Sequence, residues 1–306
     1  MGCGGPRRYA AGMWPTEDAW RTTIPSTIDR AVERWDLEVL DPYTGGSASH
    51  VVAVRTADGL DAVLKLSLPH REARDEGAAL RWWDGNGAVR LLASDPDDPF
   101  VLLLERCAPG VRLADRAGLA ADDGLTIAAS LLVELWSAGD PDDAPFERLT
   151  DVADEWADLA EERMSTLAPP LDPGVVRRGV GLLRELPRSA GSTVVVHGDY
   201  NPGNVLTASR RPWLVIDPKP MTGDPAYDLC PLLMQVDDPF ARRDPVRRLR
   251  ERIALLSDVT AQPRERIAAW CVARLVESAL WSVSRGQPRD AEDGVARAAL
   301  MAGLVD

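Results

Sequence analysis

Apolar residues change their period about one-third of the way along this chain. Over the first hundred residues they alternate, or cluster in short runs bounded by turn formers, as strands do. Leu37-Glu38-Val39-Leu40 is the first predicted strand, His50 to Thr56 the second and Asp61 to Leu66 the third. Asp58-Gly59 supplies a two-residue hairpin turn between the last two. The loop after the first strand, Asp41 to Ser49, is rich in small residues and holds Gly45-Gly46-Ser47. His70 to Trp83 changes to helical spacing, with Ala73, Gly77 and Leu80 on one face. Pro99 to Leu104 is an apolar run that predicts a buried strand, closed by Pro109-Gly110.

Beyond it the helical period dominates. Leu125, Ala128, Ala129, Leu132, Leu135 and Trp136 mark a core helix after Asp122-Asp123. A second helix is predicted from Asp151 to Met164, with Val152, Trp156 and Leu159 opposite a stripe of six acids. That stripe reads as a solvated face or as a lining that attracts a cation. Two more helices are predicted near Val246–Ser257 and Arg264–Ser284. One β-prone island interrupts them: Val194-Val195-Val196, Val205-Leu206 and Trp213-Leu214-Val215-Ile216, with a turn over Thr207 to Pro212. The fold class is therefore α+β. The expected division is a disordered start over 1–20, a nucleotide-binding part over 21–107 and a helical catalytic and substrate-binding part over 108–306.

Composition narrows the chemistry. A net charge of -13 argues against a nucleic-acid partner and suits a small cationic one. The four cysteines stand at least 41 positions apart, so there is no CxxC pair, and scattered thiols fit a reducing cytoplasm. No apolar run reaches the ~18 residues that would span a membrane. Met1 to Gly12 lacks the apolar stretch of a signal peptide. Three histidines make a multi-histidine metal site improbable.

The richest segment is His197-Gly198-Asp199-Tyr200-Asn201-Pro202-Gly203-Asn204, followed at a distance by Ile216-Asp217-Pro218. Phosphoryl transfer from ATP needs a carboxylate to orient and deprotonate the attacking hydroxyl, and an amide and a second carboxylate to hold magnesium. Asp199 and Asn204 are five apart, as in the kinase catalytic loop, and Asp217 falls where a kinase places its metal-binding aspartate. A hairpin centred between Arg210 and Arg211 sets Asn204 and Asp217 opposite one another. In the first part, the strand–loop–strand–turn–strand order is one that covers phosphates. Gly45 and Gly46 admit backbone amides to the triphosphate, Ser47 adds a hydroxyl and Lys65 contacts the α and β phosphates. Either Glu72 or Glu76 is placed to pair with Lys65. Glu277 and Trp281, one helical turn apart, form either a cation site or a salt bridge and a packing contact. Asp237-Asp238 reads as substrate ligands or as a capping turn. His197 supports the loop through its ring.

With Gly223-Asp224-Pro225-Ala226-Tyr227-Asp228-Leu229 behind it, the catalytic segment resembles the aminoglycoside phosphotransferases, and within them the aminoglycoside/hydroxyurea resistance kinases. The resemblance runs from about Leu37 to Trp281. It implies a two-lobed protein-kinase-like fold, with a small β-rich lobe and a larger helical one. It implies transfer of the ATP γ-phosphate to a small-molecule hydroxyl, with streptomycin the expected acceptor and hydroxyurea or another metabolite the alternative. A pseudokinase is disfavoured because all three chemical residues are present. The family pattern Glu-Ala-x-x-Leu-Arg-Trp selects Glu76 as the partner of Lys65. It makes Glu105 to Gly110 the interlobe linker, where the Glu105 carbonyl and the Cys107 amide read adenine. It gives Asp228 the task of bracing the catalytic loop. Two residues depart from the pattern: Asn201 stands where a histidine is expected and Asp228 where a glutamate is expected.

Overall fold

The computed structural model describes residues 14–43 and 48–305, which form two compact units. The first comprises the residues up to Val111 together with Leu206–Pro220. Helix α1 (Glu17–Trp35) leads into β1 (Leu37–Pro42), β2 (Ser49–Thr56) and β3 (Asp61–Ser67), then α2 (Glu76–Trp83), β4 (Leu91–Ser94) and β5 (Val101–Glu105). The strands make one antiparallel sheet in the order β1-β2-β3-β5-β4.

Strand alternation sends successive side chains to opposite faces. Leu64 and Leu66 of β3 join Val52, Val54, Val101 and Leu103 on one face, where Trp20, Ile24 and Ala31 of α1 close the core. Lys65 is in register with Leu102 and shares the other face, which α2 approaches so closely that a Cβ on Gly77 would lie 3.0 Å from Leu102.

Helix α1 corrects the expectation for the start of the chain, because it begins at Glu17, inside the 1–20 segment expected to be disordered. Its Thr16 cap accepts the Ala19 N–H at 3.3 Å, and Glu17 and Asp18 occupy the first turn. The run Thr22-Thr23-Ile24-Pro25 hides it, since β-branched residues and an interior proline both argue against a helix. Trp20, Ile24, Thr27 and Ala31 are nevertheless buried at helical spacing, so tertiary packing decides. The predicted 70–83 helix is also shorter than expected: a 3₁₀ turn over Arg71–Ala73 precedes α2.

The second unit is helical. It holds α3 (Ala121–Trp136), β6 (Glu147–Arg148), α4 (Leu149–Leu167), α5 (Pro173–Glu185) and β7 (Val194–Val196). The hairpin strands β8 (Val205–Thr207) and β9 (Trp213–Val215) come next in the chain, and from Leu206 on they belong to the first unit. Then come β10 (Met221–Gly223), α6 (Leu229–Gln235), α7 (Pro245–Thr260), α8 (Arg264–Ser284) and α9 (Pro288–Ala302). Strand β10 lies between β6 and β7.

Helix α8 is the axis of this unit. Its length and composition would suffice to cross a membrane, but 67% of its most apolar window is buried inside the protein. It packs against α4, α5, α6, α7 and α9. Helices α5 and α9 are absent from the sequence-based reading. The cap of α5 is legible, because Asp172 accepts the Gly174 and Val175 N–H groups and Pro173 opens the helix. Its three glycines obscure it. One of them is required: a Cβ on Gly179 would fall 2.5 Å from Val276 of α8.

Candidate active site

Strand β3 delivers Lys65 to the α2 face of the sheet, where its ammonium meets both oxygens of Glu76 at 2.7 and 2.8 Å. The same ammonium meets Asp217 Oδ1 at 2.6 Å. Glu72 is exposed and takes no part in this pairing. Glu76 is 1% exposed and Lys65 8%, whereas Asp217 is 40% exposed, so of the three Asp217 is open to a ligand. Burial works against the Lys65 charge, but the two carboxylates outweigh it and raise its pKa. Burial, opposed by Lys65 and reinforced by Asp217, pushes the Glu76 carboxyl up. Both acids share the Lys65 ammonium, and the charge of Lys219 acts on Glu76 as well. Asp217 holds a left-handed φ of 59°, a conformation an aspartate adopts at a cost and one that clusters at functional sites.

The catalytic segment is held from behind by one buried acid. The N–H groups of His197 and Gly198 donate to Asp228 at 2.8 and 2.9 Å, and the Trp136 indole donates to it at 3.1 Å. Gly198 supplies the positive φ, 85°, that lets the loop turn there. Burial raises the Asp228 pKa to about 6 despite those three donors. The His197 ring is fully buried, accepts the Asp199 N–H at 3.3 Å and meets the Tyr200 ring edge-on. Tyr200 donates its hydroxyl to the Ala128 carbonyl of α3 at 2.8 Å, a second anchor for the loop. Asp199 is half-buried and receives the Asn201 amide on its carboxylate at 3.3 Å. The Asn204 amide nitrogen donates to the Asp199 carbonyl at 3.0 Å, which leaves Asn204 Oδ1 as the acceptor end of that side chain. Asn204 closes the 3₁₀ turn before β8, and Asp217 follows β9 by two residues.

Residues 34–286 match the model of the aminoglycoside/hydroxyurea antibiotic resistance kinases. The chain belongs to that family. It is 36% identical over 279 residues to a streptomycin 6-kinase of Streptomyces glaucescens, covering 91% of this chain and 89% of the relative. It is 35% identical over 280 residues to a hydroxyurea phosphotransferase of Kitasatospora aureofaciens, covering 92% and 79%. Among solved structures it resembles a choline kinase from Streptococcus pneumoniae with a TM-score of 0.63 at 16% identity, over 92% of this chain and 99% of that one. At that identity the likeness shows the fold, which is the protein-kinase-like phosphotransferase fold.

Other residues of this family member lie as follows. Gly45, Gly46 and Ser47 fall outside the described residues. Glu105 ends β5, and its carboxylate takes Arg210 Nε at 2.7 Å and the Arg90 N–H at 3.0 Å. Cys107 is half-buried, and burial, with the Glu105 charge, pushes its thiol up to about 12. Asp237 has φ 52° and is paired with Arg242, while Arg252 donates to its carbonyl at 2.7 Å. Trp281 is 49% exposed with the Arg285 guanidinium 5.7 Å from its ring, and Glu277 is half-buried on the same helix.

Three contributors escape sequence reasoning. Trp136 reads as a core residue, yet its indole reaches Asp228 across 92 positions. Asp224, 1% exposed, caps the turn that carries Asp228 by accepting the Ala226 N–H at 3.0 Å. It also takes Arg266 Nε at 2.7 Å and the Trp270 indole, both from α8. Arg210 reads as part of a solvated turn and instead binds Glu105.

Proposed function

We propose that this kinase transfers the γ-phosphate of ATP to a hydroxyl of streptomycin, inactivating the antibiotic. The likeness to streptomycin 6-kinase along nine-tenths of the chain carries the choice of acceptor. Asp199 accepts or orients the proton of the attacking hydroxyl. Lys65, held by Glu76, grips the α and β phosphates, and the amides of Gly45 and Gly46 with the Ser47 hydroxyl cover them. The Glu105 carbonyl and the Cys107 amide read the adenine edge. Asp217 and the Asn204 amide oxygen hold magnesium, for which oxygen donors are suited. When bound, that cation would neutralise charge on the phosphates. His197 and Asp228 keep the loop in shape. Glu277, Trp281 and Asp237 are assigned to the acceptor. ATP as donor places the reaction in the cytoplasm.

The hydroxyurea phosphotransferase likeness favours a second acceptor of quite different size. Incubation of the purified protein with magnesium and ATP, against streptomycin, hydroxyurea and other aminoglycosides in turn, separates the two. Phosphorylated streptomycin, seen by mass spectrometry at a kcat/KM well above that for the other acceptors, is the expected result. Turnover of hydroxyurea alone would overturn the choice of acceptor, and turnover of none would overturn the kinase reading.

A further inference from the structure

Arg210 stands at the tip of the β8–β9 hairpin, where charged residues are usually solvated. Its guanidinium instead makes four hydrogen bonds inside the first unit. Nε and Nη2 fork onto the two oxygens of Glu105 at 2.7 and 3.0 Å. Nη1 reaches the Gly85 carbonyl at 2.9 Å and Nη2 the Ala88 carbonyl at 3.0 Å. Arg210 is 23% exposed and Glu105 17%, which sets the pair apart from the surface ion pairs elsewhere on the molecule. Burial works against the Glu105 carboxylate, yet Arg210 and the Arg90 N–H hold it below the usual range. The Glu105 N–H also donates to the Arg90 carbonyl at 2.9 Å, so this residue is fixed by backbone and side chain together.

The strands on either side of that tip are tied to the same unit. Thr207 N–H donates to the Val111 carbonyl at 2.9 Å and its own carbonyl accepts the Gly110 N–H at 3.0 Å. Val215 N–H donates to Gly87 at 2.9 Å and its carbonyl accepts from Val89 at 3.0 Å. Two residues past β9 comes Asp217, bonded to Lys65. Two residues past Glu105 comes Cys107. Lys65 and Glu105 are themselves joined through the β3–β5 ladder, where Ala62 pairs with Glu105 and Lys65 with Leu102. Arg210 therefore closes a ring: hairpin to Asp217, Asp217 to Lys65, β3 to β5, β5 to Glu105, and Glu105 back to Arg210.

We propose that Arg210 is a positioning residue for the nucleotide. By tying the hairpin that leads to Asp217 to the strand end that leads to the base-reading backbone, it fixes the span between adenine and phosphates. This rests on the kinase reading above and deepens it. Lysine cannot reproduce the role, because one ammonium cannot fork onto a carboxylate while also serving two carbonyls.

The test uses the full-length protein and MgATP as probe. Binding is measured by calorimetry, and KM is measured separately for ATP and for the acceptor. Arg210→Met is expected to weaken MgATP binding by about tenfold, while the acceptor KM stays within about twofold of wild type. Glu105→Gln, which keeps the backbone carbonyl, is expected to weaken ATP in the same way. The double variant is expected to be no worse than Arg210→Met alone, since the pair acts as one. Arg210→Lys, the gentler change, is expected to lose ATP affinity as well, and it serves if the methionine variant does not fold. Arg210→Lys or Arg210→Met binding MgATP as wild type does would overturn the proposal, as would equal losses for ATP and acceptor. Wild-type protein that binds no MgATP would instead overturn the kinase reading.

Discussion

Asp199 is the residue on which the proposed transfer turns. The Asn201 amide donates to its carboxylate, and the Asn201 and Asn204 amides both donate to its carbonyl. These donors help to orient the acid. Asp199→Asn is expected to lower kcat by ~10²–10⁴, the usual worth of a general base, with an unchanged unfolding midpoint. Steady-state kinetics with a thermal melt checks both parts, and full activity would remove the assignment. The acid itself is legible in the sequence because its chemistry depends on neighbours five residues away. Lys65 and Glu76 are legible for a similar reason, being 11 positions apart on consecutive elements. The bond from Lys65 to Asp217 crosses 152 positions, and Arg210 to Glu105 crosses 105. Nothing local to Arg210 distinguishes it from Arg211 beside it, so only the folded chain reveals its partner.

Elements meet at Asp228. It joins the start of the catalytic segment, the end of α3 and the turn before α6 through three donated hydrogen bonds. Its pKa rises from the ordinary 3.8 to about 6, chiefly through burial. Between those values the folded protein holds a proton that the unfolded chain has released. The stability this group contributes is thus fully present below pH 3.8 and is lost as pH rises through about 6. A shift of that size corresponds to about 3 kcal/mol. Urea unfolding of wild type from pH 4 to 7 is expected to show this fall, and Asp228→Asn is expected to lack it. Parallel pH profiles for the two proteins would show that Asp228 is charged throughout. Helices α3 and α8 were legible because their apolar faces repeat over many turns, and α8 has the predicted bounds. Helix α5 was not, since Gly179 serves the approach of Val276 and lowers helix propensity at the same time.

The whole molecule carries a charge of -13. Streptomycin carries guanidinium groups, whereas hydroxyurea is neutral, so the two proposed acceptors should feel that field differently. With ATP saturating, the KM for streptomycin is expected to rise severalfold as sodium chloride is raised from about 20 to about 200 mM, while any KM for hydroxyurea stays flat. A salt-independent streptomycin KM would mean that steering plays no part. At this scale the sequence foretold an α+β chain with its β-rich part first. It did not foretell that Leu206–Pro220, far along the chain, folds with the first unit. That membership rests on backbone bonds to residues 87–89 and 110–111 together with the Arg210 and Asp217 side chains, whose partners lie more than a hundred positions away.

Helix α1 carries a practical lesson for anyone trimming this gene. The family match begins at residue 34, one residue short of the end of that helix. A protein started there would keep every residue assigned to chemistry. It would also strip Trp20, Ile24 and Ala31 from the back of the sheet and leave Val52, Leu64, Leu66 and Leu103 facing water, a sticky plate directly behind Lys65. The boundary drawn by similarity is therefore not the boundary at which the molecule can safely be cut.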